Sequence, residues 1–297
     1  ARQFSNGGVA PQRLDHNSDY VSQCLIPFIE TILQRYHPEG IWLDGDFWSI
    51  FPSWNPASVR LFKAETGLAA PKDFGDKNFP AFWRFTIDSH ADYMHRLATA
   101  IHKRDPNCVF AVNGAFTLRQ PWAPPPYIGR TSMDPPTFFG LSAACLEARF
   151  GGAHPATPLD IVLSGFVEPE GVPYPYPKTT LQLTQEAATI LASGGHIKVY
   201  VAMSPDGAID THDVQRIREA IRDFCLPRKE CFLRGQSVPD IAVLHTRDHF
   251  DRTHRLDEIH GAALTLLRDN RHFDILDDET FCRRSQEYSV VVVPEQG

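Results

Sequence analysis

The chain has 297 residues, with 29 Lys and Arg against 36 Asp and Glu, a formal charge of −7 and 13 His. That length suits one large domain or two ordinary ones, and 42% hydrophobic with 22% charged residues excludes a disordered or collagen-like chain. No apolar run approaches the roughly 18–20 residues of a membrane helix, and mild acidity without Lys/Arg blocks argues against a nucleic-acid or anionic-membrane partner.

The cysteines at 24, 108, 145, 225, 231 and 282 lack the C-x-x-C spacing of zinc or redox sites and are too sparse for a disulfide scaffold. Ala1-Arg2-Gln3 opens a polar segment rather than the apolar core of a signal peptide, and the missing initiator Met points to a natural N-terminus elsewhere. The compartment stays open.

In chain order, residues 1–17 read as coil and Asp19 to about Arg35 as a helix, from Tyr20, Cys24, Phe28, Ile32 and Leu33 at helical spacing. Gly40-Ile41-Trp42-Leu43-Asp44 reads as a buried strand ending in a carboxylate, followed by an aromatic, Pro-rich loop. Pro80 to Lys103 is predicted as a helix and Cys108 to Val112 as a strand ending at Asn113-Gly114. Ile128 to Asp134 and Asp160 to Leu163 are further strands, the second followed by a loop with Glu168 and Glu170. A helix over Thr179 to Ala192, capped by Gly194-Gly195, a strand from His196 to Ala202 and a helix from Asp210 to Phe224 complete the series. Pro227 and the charged stretch to Gly235 read as a linker. Beyond it, strands at Ile241–Leu244, Phe273–Leu276 and Val290–Val293 flank a helix from Leu256 to Leu267.

Apolar strands alternating with amphipathic helices predict a parallel sheet. Five strand-helix units between Gly40 and Phe224 suit the eight-stranded (β/α)8 barrel, with three preceding units missing from this chain. The domains expected are a barrel portion over 1–227 and a second α/β domain, itself incomplete, over 236–297.

Barrels of this kind carry their catalytic groups at the C-terminal ends of strands. Asp44 is the sharpest candidate: it ends a buried strand among Trp42, Asp46, Phe47 and Trp48. Aromatic faces pack on the C–H surfaces of a pyranose, and a carboxylate attacks or steadies an oxocarbenium-like centre. A turn cap is the competing reading of Asp44. The second carboxyl group that such chemistry needs is sought at Asp134 or Glu168, with Glu170 beside it. Solvated loop charges are the competing reading of these three. Arg130, close to Asp134 in sequence, is expected to favour the ionised carboxylate and also to contact substrate. Asn113 is a candidate hydroxyl ligand or a turn former. His90 and His95, five apart, do not share a helix face for a metal. His245, His249, His254 and His260 read as loop and helix-start residues. No H-E-x-x-H, G-x-S-x-G, Walker or G-x-G-x-x-G pattern occurs, and no metal or organic cofactor is implied.

The stretch from Tyr36 through Gly40, Trp42, Asp44 and Gly45 to Trp48 resembles the nucleophile segment of α-L-fucosidase-like glycoside hydrolases. That resemblance implies a barrel whose fourth strand ends at Asp44, with Asp44 as nucleophile. Thr180 to Ala188, Gly194-Gly195-His196 and Ser204-Pro205-Asp206-Gly207 look like a bacterial branch of such barrels. The C-terminal segment, from Ile241-Ala242-Val243-Leu244-His245 to Val293-Pro294-Glu295, is similar to the flavodoxin-like trimerisation domain of certain β-galactosidases. This implies assembly of several copies through that segment. The expected function is retaining hydrolysis of a terminal sugar from an oligosaccharide or glycoside. Asp44 is its nucleophile and Asp134 or Glu168 its acid/base, with Trp42, Asp46, Trp48, Asn113 and Arg130 around the sugar. Galactosides and sialosides stand as alternative substrates. A sugar-binding or assembly protein without catalysis is the competing class, and a metal-dependent barrel hydrolase a third.

Overall fold

The computed structural model describes residues 2–10, 14–44, 51–135, 140–154, 156–168, 175–204, 206–234, 238–247 and 256–294. They belong to two compact units, one of residues 1–111 with 126–128, the other of 112–125 with 129–297.

In the first unit, a π-helical turn over Val21–Leu25 leads into α1 (Ile26–Tyr36), which buries Ile29 and Leu33 and ends at His37 in the left-handed region. β1 (Gly40–Leu43) follows, and the Val109 N–H at the start of β2 (Val109–Asn113) donates to the Glu39 carbonyl at 2.9 Å. The segment after β1 was expected to be a loop, yet it contains α2 (Pro56–Thr66). Asn55 caps this helix by accepting from the Ala57 N–H, Pro56 fills its first turn, and Gly67 at φ 72° closes it. Its apolar signal is weak because only Ser58 and Phe62 are buried. α3 (Phe79–Arg104) buries the predicted stripe of Phe82, Phe85, Met94, Leu97 and Ile101, and Trp54 packs on the cluster of Phe62, Phe82 and Phe85.

The second unit holds β3 (Arg130–Met133), α4 (Gly140–Gly151), β4 (Leu159–Ser164), α5 (Thr180–Ala192), β5 (His196–Tyr200) and α6 (Thr211–Ala220). β3, β4 and β5 are parallel, with Ser132, Asp160 and His196 in register. Residues alternate between the two faces of a strand, so Ser132, Asp160, Ser164, Lys198 and Tyr200 share one face. The other face carries Met133, Leu159 and Ile161, which pack with Phe150 of α4 and Ile190 of α5. Leu163, also on that side, packs with Leu183 of α5 and Ile217 of α6. All three helices therefore cover one side of the sheet.

The strand order β1-β2-β3-β4-β5 repeats the chain order. Right-handed crossovers taken always in one direction put every helix on the same face, whereas a doubly wound sheet reverses direction. The result is a five-strand portion of a (β/α)8 barrel, in which the face of Ser132 and Asp160 is the interior.

The stretch read as a linker is helical: a π-helical turn over Ile221–Cys225 passes through a 3-10 turn, Leu226–Arg228, into α7 (Lys229–Arg234). A second parallel sheet follows, with β6 (Ile241–Leu244) between β7 (Phe273–Leu276) and β8 (Val290–Val292). Its helices are α8 (Asp257–Arg268) and α9 (Asp278–Arg284). The spatial order 2-1-3 is that of the first strands of a flavodoxin-like sheet. Val243, Ile259, Phe273 and Ile275 share one core with Phe150 and Leu159.

Candidate active site

Along β1, exposed Gly40 and Trp42 alternate with half-buried Ile41 and Leu43, so Trp42 and the exposed Asp44 that follows lie on one face. Asp134 directly follows β3 and is exposed. Its odd-even relation to Ser132 continues the interior face. Glu168, also exposed, follows Phe166–Val167, a two-residue strand paired antiparallel with Tyr176–Pro177 at the C-terminal end of β4. Each of the three carboxylates thus stands just beyond the C-terminal end of a strand or of its short extension, where catalytic groups of such barrels lie. Asp46, Trp48 and Glu170 lie outside the described residues, as do His249 and His254.

Asn113 is the last residue of β2 and is buried. The Gly114 N–H donates to the Ser132 carbonyl at 2.8 Å, which sets Asn113 beside Ser132 on the interior face. Arg130 does not sit beside Asp134. It begins β3 while Asp134 follows its end, a separation of about 13 Å along an extended strand, and its Nη1 lies 3.5 Å from Asp160 Oδ2. The strand thus directs Arg130 to Asp160, and residues close in sequence stand at opposite ends of β3.

The interior face also holds a polar group that sequence reasoning missed. Ser132 Oγ donates to Asp160 Oδ1 at 2.7 Å, and Lys198 Nζ donates to Ser132 Oγ at 2.7 Å while standing 3.8 Å from Asp160. Ser132 and Asp160 are buried, and burial of the carboxylate is sustained by this hydrogen bond and the two cations. The signal was present: Asp160 and Lys198 are the Asp and Lys set among the apolar residues of Leu159–Leu163 and Ile197–Val199.

His90 is buried in α3 against His16 and Tyr93. His245 is buried at the end of β6, and burial lowers the pKa of His260. Among the described residues, no three His, Cys, Asp or Glu side chains gather in a way that would hold a metal. A cavity of about 640 Å³ opens at the N-terminal ends of β4 and β5, against His154, His196, Asp274 and Arg284. It lies at the opposite end of those strands from Asp134 and Glu168.

This architecture places the chain in the class of (β/α)8 barrels followed by a parallel α/β segment. No known family's sequence description matches the chain, and no curated protein does. Solved structures share its fold. An α-L-fucosidase, isoenzyme 2 from Paenibacillus thiaminolyticus, superposes with TM-score 0.72 at 18% identity, over 94% of this chain and 41% of that one. The β-galactosidase from Bacillus circulans sp. alkalophilus gives TM-score 0.73 at 13% identity, over 98% of this chain and 54% of that one. The β-galactosidase from the psychrophilic Marinomonas ef1 gives 0.69 at 14%, over 99% and 58%. The chain thus spans about half the length of these proteins, and the likeness is one of fold.

Proposed function

We propose that this chain belongs to a glycoside hydrolase that releases a terminal sugar with retention of configuration, α-L-fucoside being the first substrate to test. The observation that carries this reading is the placement of Asp44, Asp134 and Glu168 just beyond the C-terminal ends of strands, with Trp42 on the face of Asp44. Asp44 attacks the anomeric carbon as the glycosidic bond breaks. Asp134 or Glu168 protonates the departing oxygen and then takes a proton from the water that hydrolyses the glycosyl ester. Trp42 offers an apolar face, while Asn113 and the polar interior of Ser132 and Asp160 suit hydroxyl groups. Asp46 and Trp48 join the same site in this reading. Arg130, bound to Asp160, acts through that polar floor.

The fold likeness to β-galactosidases favours a β-galactoside as the second substrate. The order β7-β6-β8 supports the C-terminal segment as the surface through which copies assemble, to be measured by sedimentation.

The test is hydrolysis of p-nitrophenyl α-L-fucopyranoside and p-nitrophenyl β-D-galactopyranoside by the chain and by Asp44→Asn. Turnover that disappears in Asp44→Asn, with an unchanged thermal melt, supports the reading. Turnover that persists in the variant removes Asp44 from the mechanism, and the absence of turnover and of sugar binding in the parent chain would sink the function.

A further inference from the structure

Leu118 lies in the loop after β2, five residues beyond Asn113, and ionisable side chains from two other elements take both of its peptide groups. Its N–H donates to Glu147 Oε2 of α4 at 3.3 Å. Its carbonyl is 2.8 Å from Nε2 of His245, at the end of β6. A carbonyl only accepts, so Nε2 carries the proton in this bond. His245 is fully buried, and its backbone N–H donates to the Leu276 carbonyl at 2.8 Å. Three elements separated widely in sequence therefore meet at one residue of one loop.

The loop they hold is neither relaxed nor on the surface. Ala115, Phe116, Leu118 and Gln120 are buried, although connecting segments ordinarily run over the surface. Phe116 has φ 61°, in the left-handed region. For a bulky residue that is a strained conformation, which persists only where surrounding contacts over-determine it. The Phe116 N–H to Gln120 Oε1 bond is 3.4 Å and the Leu118 N–H to Glu147 bond 3.3 Å, so the short bond from another element to this turn is the one to the Leu118 carbonyl, at 2.8 Å.

We propose that His245 and Glu147 are positioning residues for the sugar site: by holding Leu118 they fix the strained turn that directly follows Asn113 and Gly114, and so steady the end of the strand whose pairing with Ser132 places Asn113 at the barrel interior. His245 belongs to the second sheet, so that sheet is a working part of the pyranoside-binding site rather than an appended module. The proposal rests on the reading of Asn113 as a sugar ligand. Deleting the imidazole leaves the Leu118 carbonyl buried without its donor, a loss that the turn can relieve by relaxing Phe116.

The experiment compares His245→Ala, His245→Gln and Phe116→Gly in the full chain, by peptide-level hydrogen exchange and by kinetics on the two p-nitrophenyl glycosides. His245→Ala is expected to lose protection over residues 113–120 while β4 stays protected, and to raise KM on the order of tenfold with kcat changed far less. His245→Gln, whose amide can donate to the same carbonyl, restores both. Phe116→Gly, which removes the conformational strain, restores protection when added to His245→Ala. Unchanged exchange over 113–120 overturns the proposal whether or not the parent chain turns over. Lost protection with unchanged KM overturns its functional half, leaving a structural clamp. Absence of turnover in the parent chain counts against the glycosidase reading alone, since exchange still decides the grip.

Discussion

Lys178 Nζ and Glu186 Oε2 meet at 2.7 Å with the two side chains only 3% and 9% exposed. The Lys178 N–H donates to the Gly165 carbonyl at 2.9 Å, so the pair ties the end of the Tyr176–Pro177 strand to the second turn of α5. Two charges taken out of water repay their desolvation only together. Glu186→Gln, which strands the ammonium, should destabilise the fold by about 3–5 kcal/mol, and Lys178→Met with Glu186→Leu should cost much less than either single change. Urea unfolding followed by tryptophan fluorescence measures this. Single variants within about 1 kcal/mol of the parent chain would show that water reaches the pair.

Burial takes the pKa of Glu147 from 4.5 to about 7, against the opposing pull of the Leu118 N–H and the Arg119 charge. A raised pKa means that the native state holds the proton more tightly than the unfolded chain, so the stability it contributes is fully present below about 4.5. It is lost as pH rises to about 7, and the loss approaches about 3 kcal/mol. Glu147→Gln should flatten the parent's fall in unfolding free energy across that interval, which denaturant titrations at pH 5 and pH 8 would compare. Parallel pH profiles for parent and variant would contradict the assignment.

Two glycines should respond in opposite directions. A Cβ on Gly152 would stand 2.4 Å from the Ser193 carbonyl oxygen and 2.8 Å from that of Ala148. Both are backbone atoms where α4 meets the end of α5, so Gly152→Ala should cost about 1–3 kcal/mol. Gly261 lies inside α8, and a methyl group added there would meet nothing within 4 Å. Gly261→Ala should stabilise by about 0.5–1 kcal/mol, because alanine surrenders less backbone freedom on entering a helix. Thermal melts of the two variants should therefore shift in opposite senses.

If Asp44 is the nucleophile, Asp44→Gly should lower kcat by on the order of 10³-fold or more. Sodium azide should restore part of that rate, because the small anion fits the space left by the carboxylate. It would attack the anomeric carbon as p-nitrophenolate leaves, giving a glycosyl azide of inverted configuration. Proton NMR of the product reads the configuration. Rescue without any glycosyl azide would exclude direct attack at this position.

The strand-helix rhythm was legible because each unit declares itself locally. Ile161 and Leu163 in β4 and the stripe of α3 carry their own periods, and the capping box of Thr179 and Gln182 marks the start of α5. α4 escaped for a physical reason. Ala144, Leu146, Ala148 and Phe150 join one core with residues of both sheets, so the helix has no single apolar stripe to detect. α2 escaped through the opposite defect, a narrow buried face, although Asn55, Pro56 and Gly67 marked both of its ends. Asp44 and Asp134 could be placed at strand ends because the strand itself ended there. Arg130 could not be placed by nearness to Asp134, since the extended chain sends them to opposite ends of β3.

Local pattern was enough to specify the order of elements, the parallel class of the sheet and the position of the carboxylates after their strands, because those properties depend on residues a few positions apart. The polar interior is of another kind. Ser132 meets Asp160 across 28 residues and Lys198 across 66, and His245 meets Leu118 across 127. Those contacts follow from strand register and from which helix face each sheet buries. Both are settled by the packing of the whole core, and neither leaves a periodic trace in the neighbouring residues.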